Sequence, residues 1–135
     1  MDRLVDEAIV IRDTLSFYES EGITGQLVAV RLAGNAYCAD ELLIRVDKKM
    51  LVDRDGQNRY RVRTQFYQYH AWLRSRPDRP RRDLIRIDHA HDEELLHRHV
   101  FDAEGQELGR TPLDRHAMPT LDEFIRMAHQ LANRG

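Results

Sequence analysis

The chain has 135 residues, of which 41% are hydrophobic and 33% are charged, and its net charge is −2. This size and composition are typical of one folded domain spanning residues 1–135, and they exclude a disordered chain. Cys38 is the only cysteine, so no disulfide can form within the chain, and every apolar run is too short for a membrane-spanning helix. Since no secretory signal pattern is visible, we expect a cytoplasmic protein.

The first segment has helical periodicity. Leu4, Ala8, Ile11, Leu15 and Tyr18 recur at the spacing of one helix face, which predicts an amphipathic helix over residues 2–21. We expect its apolar stripe to pack against the core.

Alternation with a period of two follows, and it predicts an antiparallel sheet of four or five strands over residues 25–101. Gly34-Asn35 predicts the first hairpin turn, because both residues tolerate positive φ. The later strands are expected at 60–73, 83–88 and 97–101, and residues 109–118 are expected to form a loop.

Thr120 and Glu123 form a capping-box pattern, which predicts the start of a C-terminal helix over residues 120–133. Its apolar face is expected to pack on the sheet. The predicted fold is therefore α+β, with an N-terminal helix, an antiparallel sheet and a closing helix on one sheet face.

Positive charge is concentrated in residues 59–86, where nine arginines accompany only two aspartates. The segment carries +7, so the rest of the chain sums to −9, and such an asymmetry is typical of a nucleic-acid contact. Alternation places Arg61, Arg63, Tyr67 and Tyr69 on one strand face. There arginines can hold phosphates and tyrosines can stack on unpaired RNA bases, although a solvated sheet face is the plainer interpretation.

Histidines and carboxylates cluster directly after this region, in residues 88–99. An imidazole of near-neutral pKa beside an arginine can move the protons of RNA cleavage, while the arginine stabilises the added phosphate charge. The candidate catalytic residues are His70, Arg86, Asp88, His91, His97 and His99. Alternation places His70 on the face opposite Tyr67 and Tyr69, either as a core histidine or in a site on the other face, unless a β-bulge intervenes.

Alternatives remain open at this point. His91, His97 and His99 can supply ligands to a divalent metal and so form a metal-dependent enzyme, although the chain contains no established zinc-ligand spacing. The histidines can also be structural. A non-enzymatic module whose basic face docks an acidic protein partner is a further interpretation.

Three short motifs resemble the TumE-type toxin family of bacterial toxin–antitoxin systems. They are Tyr67-Gln68-Tyr69-His70, the run from Leu84 to His91, and His97-Arg98-His99, followed by the C-terminal helix. The resemblance covers about the C-terminal two thirds of the chain. It implies a small cytoplasmic toxin held by a cognate antitoxin, expected to be a helix-turn-helix protein. Together with the candidate catalytic residues named above, this leads us to expect a metal-independent endoribonuclease that acts on RNA without a cofactor. We expect no contact with a membrane, and a homodimer is possible.

Overall fold

The structure, a computed structural model, describes residues 9–21, 27–54, 60–89, 96–114 and 117–133. Within these ranges the chain forms one antiparallel sheet of eight strands and one C-terminal α-helix. The elements are β1 (Val10–Asp13), β2 (Ser16–Glu21), β3 (Leu27–Cys38), β4 (Leu42–Arg54), β5 (Tyr60–Leu73), β6 (Arg82–His89), β7 (Leu96–Phe101), β8 (Glu107–Leu113) and α1 (Leu121–Asn133). None of the described helices combines the length and apolar composition that crossing a membrane requires.

The sheet is a meander in which each strand from β3 to β8 pairs with the next one along the chain. β1 and β2 both pair with β3, at its two ends, so they form one edge together. The opposite edge is β8. The predicted sheet of four or five strands was therefore wrong in strand number.

The predicted N-terminal helix was also wrong, because residues 10–13 and 16–21 are strands. Residues 1–8, the remainder of that prediction, lie outside the described part of the chain. Ile11 and Tyr18 have helical spacing, but both side chains are exposed here. Pairing with β3 decides the conformation instead, since strand formation depends more on cross-strand neighbours than on local preference.

Gly34 does not form a hairpin turn, because β3 continues through it and the chain reverses at a 3-10 turn, Ala39–Glu41. Its glycine is required by close packing. A Cβ at Gly34 would lie 2.5 Å from the carbonyl oxygen of Thr14, and its φ of 142° is one that side chains disfavour. The glycine therefore lets the β1–β2 junction cross β3, as glycines within strands often do where another backbone approaches closely.

The C-terminal helix begins as predicted. Thr120 Oγ1 accepts a hydrogen bond from the Glu123 amide, and Glu123 Oε1 accepts one from the Thr120 amide. The helix packs on one sheet face, where the Phe124 ring lies 5.3 Å from the Tyr69 ring. The sheet contributes further buried side chains to this core: Ile44, Val46, Ala71, Ile85 and Ile87.

Candidate functional site

The sheet face opposite the helix carries a row of polar side chains. Antiparallel register places one residue of each strand from β4 to β8 directly opposite the next, so their side chains share this face. The row consists of Arg45, His70, Arg86, His99 and Arg110. We call this surface the polar face. In β4, β5 and β6 the row alternates with buried apolar residues that point to the opposite face, such as Ile44, Ala71 and Ile85.

His99 lies between two carboxylates. Its Nε2 is 2.8 Å from Asp88 Oδ1 and its Nδ1 is 2.5 Å from Glu107 Oε1. A neutral imidazole has only one N–H, so both hydrogen bonds form only when the ring is protonated. The bond from His99 lowers the pKa of Glu107, which keeps that carboxylate ionised against a desolvation effect of opposite sign. His99 therefore has a carboxylate within hydrogen-bond distance of each of its two ring nitrogens.

Arg86 occupies the centre of the row, opposite His70 on one side and His99 on the other. Its Nε lies 3.0 Å from Asp88 Oδ2, as an ion pair without the alignment of a hydrogen bond. One terminal nitrogen lies 3.2 Å from His99 Nδ1. That nitrogen can accept from Arg86 only after losing its proton, so Arg86 and Glu107 are alternative partners of the same ring atom.

His70 forms a second histidine–aspartate pair. Its Nε2 lies 2.7 Å from Asp83 Oδ1, and its ring lies 4.8 Å from the Trp72 ring. Burial lowers the pKa of His70; the hydrogen bond and charge of Asp83 oppose this shift, and the charges of Arg81 and Arg86 add to it. The environment of His70 therefore favours the neutral ring.

The other histidines of the prediction are placed differently. His97 lies opposite Asp88 on the polar face, and its Nδ1 is buried without a hydrogen-bond partner in the described structure. His91 lies outside the described residues. The structure thus brings together Arg86, Asp88 and His99, with His97 beside them and His70 across Arg86.

The pairing of β5 with β4 is irregular within the stretch predicted to bind RNA. Between Lys49 and Met50 the register with β4 slips by one residue, so Gln65 has no partner there. The bulge interrupts the strict two-residue alternation from which the RNA-binding face was predicted. The side chains of Arg61 and Arg63 lie outside those that the structure describes.

Tyr69 is only 2% exposed and packs against Phe124, so its ring offers no surface on which a base can stack. Burial raises the pKa of Tyr69 to about 12, as expected for a core tyrosine. Tyr67 is partly buried and packs against the same core. Both tyrosines lie on the sheet face that the C-terminal helix covers, so neither is placed as predicted for RNA binding.

Asp83 and Glu107 are site residues that the sequence reasoning missed. Glu107 lies at the start of β8. Residues 109–118 were expected to form a loop, because Gly109 and Pro112 argue against a strand. An edge strand tolerates both residues, since one of its sides needs no ladder hydrogen bonds. The turn at residues 102–105 was the available signal, because a tight turn after β7 calls for a returning strand.

Three kinds of group share the polar face: a histidine whose environment favours its neutral form, a histidine placed between two carboxylates, and an arginine between these two histidines. For metal binding, the described ranges, which omit His91, contain no group of three or more histidine, cysteine or acidic side chains arranged to hold an ion. Cys38 is buried in the core, where burial raises the pKa of its thiol to about 11 and keeps it protonated.

No protein-family model, no curated protein and no solved structure matches this chain. Any function assigned to it therefore rests on its own residues.

Proposed function

We propose that this chain is a metal-independent endoribonuclease and the toxin component of a bacterial toxin–antitoxin system. The observation that carries the proposal is the arrangement of two histidine–aspartate pairs on either side of Arg86. His70 bonds Asp83 at 2.7 Å and His99 bonds Asp88 at 2.8 Å. Neighbouring strands are about 4.8 Å apart, so the two histidine backbones are separated by about 10 Å, with room for a phosphodiester above Arg86.

In this proposal His70 is the general base. Its neutral ring accepts the proton of the ribose 2′-hydroxyl, while Asp83 holds the ring and stabilises the charge that develops on it. The 2′-oxygen then attacks the adjacent phosphorus, and the bond from phosphorus to the 5′-oxygen breaks. The products are a 2′,3′-cyclic phosphate and a free 5′-hydroxyl.

Arg86 and His99 complete the reaction. Arg86 stabilises the charge that builds up on the phosphate oxygens, because a guanidinium offers several donors to an oxyanion. His99 donates a proton to the departing 5′-oxygen. Glu107 has a side chain that is 42% exposed on the edge strand, so it is the partner that moves aside to free His99 Nδ1.

The toxin part of the proposal is supported by the resemblance of the motifs in β5, β6 and β7. These motifs contribute His70, Arg86, Asp88 and His99 to the polar face. The same resemblance implies a cognate antitoxin, which is the expected protein partner.

Growth arrest after induction tests the proposal. Variants His70→Gln and His99→Ala should lose toxicity, because removing one acid–base group costs on the order of 10²–10⁴-fold in rate. His97→Ala tests the neighbouring histidine in the same assay. His129→Ala is the control, because His129 lies on α1 and bonds only Asn133 among the described residues.

Circular dichroism should show that each variant is folded. Folded His70→Gln and His99→Ala proteins that still arrest growth at wild-type expression would contradict the assignment of this site.

A further inference from the structure

Four arginines lie against two aromatic rings at one end of the polar face. Tyr37 and Trp72 lie on either side of Leu43 on the neighbouring strands, in a row of their own next to the one that contains Arg45 and His70. The Arg12 guanidinium lies 4.0 Å from the centre of the Tyr37 ring, and Arg81 lies 4.3 Å from that of Trp72. More distant guanidinium groups face the same two rings, with Arg74 at 5.9 Å from Tyr37 and Arg45 at 5.8 Å from Trp72. We call these four arginines and two rings the arginine strip.

The aromatic rings position the guanidinium groups but carry no net charge that would neutralise them, so only a carboxylate partner can do so. Arg74 pairs with Glu41 and Arg81 with Asp83, each at 3.2 Å. Arg12 and Arg45 form no ion pair with any described residue, and both are exposed. An arginine positioned by stacking keeps its N–H groups available for an anion, and it loses less conformational entropy on binding than a free side chain.

The arginine strip continues directly into the proposed catalytic row. The centre of the Trp72 ring lies 4.8 Å from the centre of the His70 ring. Arg81 and His70 share the same oxygen of Asp83, and Arg45 lies opposite His70 on the neighbouring strand. A chain of phosphates bound along the strip would therefore reach the general base.

We infer that the arginine strip binds the phosphate backbone of single-stranded RNA on one side of the bond that is cleaved. The inference rests on the proposed ribonuclease function and adds the surface that positions the substrate. Guanidinium groups bind phosphate oxygens with paired hydrogen bonds, and a positively charged surface that follows the backbone is typical of proteins that bind unpaired strands. Arg61 and Arg63, at the far end of β5, are not needed for this path.

Tryptophan fluorescence tests the inference, because Trp72 is the only tryptophan in the chain. The probe is a 2′-O-methyl RNA oligonucleotide, which lacks the attacking hydroxyl and cannot be cleaved. Its titration should change Trp72 emission, with a dissociation constant that increases with salt. Each of Arg12→Gln and Arg45→Gln should weaken binding on the order of tenfold, as expected for one charge-assisted hydrogen bond. Each should also reduce the salt slope by about 0.7.

Arg98→Gln is the matched control, because it removes the same charge. Arg98 is exposed in β7 and lies opposite Ile87, on the other sheet face. Its affinity and salt slope should equal those of the wild type. Equal losses in Arg98→Gln and in the strip variants, or affinity that is independent of salt, would overturn the inference.

The outcome separates the strip from the catalytic proposal. Binding that depends on Arg12 and Arg45, in a protein that cleaves no RNA, would support the strip and remove the ribonuclease. Cleavage of unmodified RNA with unchanged KM in both strip variants would overturn the strip and retain the ribonuclease. If polyglutamate binds more tightly than the oligonucleotide, and through the same arginines, the partner of the strip is an acidic protein and not RNA.

Discussion

The two faces of the sheet are made from alternate residues of the same strands, yet they differ in every property that matters for function. Tyr69 is buried under the helix, whereas its neighbour His70 faces the polar side and pairs with Asp83. Ile87 and Asp88 divide in the same way along β6. The comparison shows that the covered face supplies stability and leaves the other face free to carry charged and titratable groups at close range.

The largest effect on this comparison should come from Phe124→Ala. Phe124 is fully buried between the helix and Tyr69, so its removal should lower the free energy of unfolding by about 3–5 kcal/mol. Urea denaturation measures the change. Gln130→Ala, on the exposed side of α1, should stay within about 0.5 kcal/mol of the wild type. Equal stability of the two variants would mean that the helix does not close this face.

A smaller effect is expected from Gly34→Ala at the edge of the covered face. The new Cβ would contact the Thr14 backbone, and the positive φ would be strained, at a cost of about 1–3 kcal/mol. Gly109→Ala is the matched control in the opposite edge strand, because a Cβ there meets nothing within 4 Å. Thermal unfolding of both variants compares the two edges. A Gly34→Ala protein as stable as Gly109→Ala would contradict the close crossing of β3 by the β1–β2 junction.

The smallest effect concerns pH and the polar face. Burial lowers the pKa of His70 below its ordinary value of 6.5, so the unfolded chain binds this proton more readily than the folded one. The contribution of His70 to the free energy of unfolding should therefore be fully present above pH 6.5 and decrease as the pH falls below it. Glu107, whose pKa is also lowered, keeps its contribution above pH 4.5 and loses it as the pH falls below that value.

Denaturation at several pH values can separate these two windows. His70→Gln should flatten only the upper window and Glu107→Gln only the lower one. An unchanged upper window in His70→Gln would show that another group causes the loss.

Part of the fold was predictable because local signals agreed with long-range pairing. The bounds of β5 agree with the predicted strand at 60–73, and the start of α1 follows from Thr120 and Glu123. The N-terminal segment failed because spacing alone favours a helix at Ile11 and Tyr18, whereas pairing with β3 is a contact that local periodicity cannot show.

The candidate site was predictable to the extent that it lies within regular strands. The i, i+2 spacing of Arg86 with Asp88 places both on one face. The strand at 97–101 was also predicted, and its pairing with β6 brings His99 beside them. Glu107 and the one-residue bulge at Gln65 depend on a strand and a register that the sequence pattern does not specify. The separation of Tyr69 from His70 was visible in the alternation. Which of the two faces the helix covers was not.

The central claim is that RNA is cleaved on the polar face, where one histidine accepts a proton from the 2′-hydroxyl and another donates a proton to the departing 5′-oxygen. The most direct measurement is to incubate purified protein with a single-stranded RNA and with DNA of the same sequence, in the presence of a chelator, and to analyse the product ends. The account predicts RNA fragments with 2′,3′-cyclic phosphate and 5′-hydroxyl ends, intact DNA, and intact RNA with His70→Gln. RNA that remains intact with the wild-type protein, or cleavage of DNA at the same rate, would contradict it.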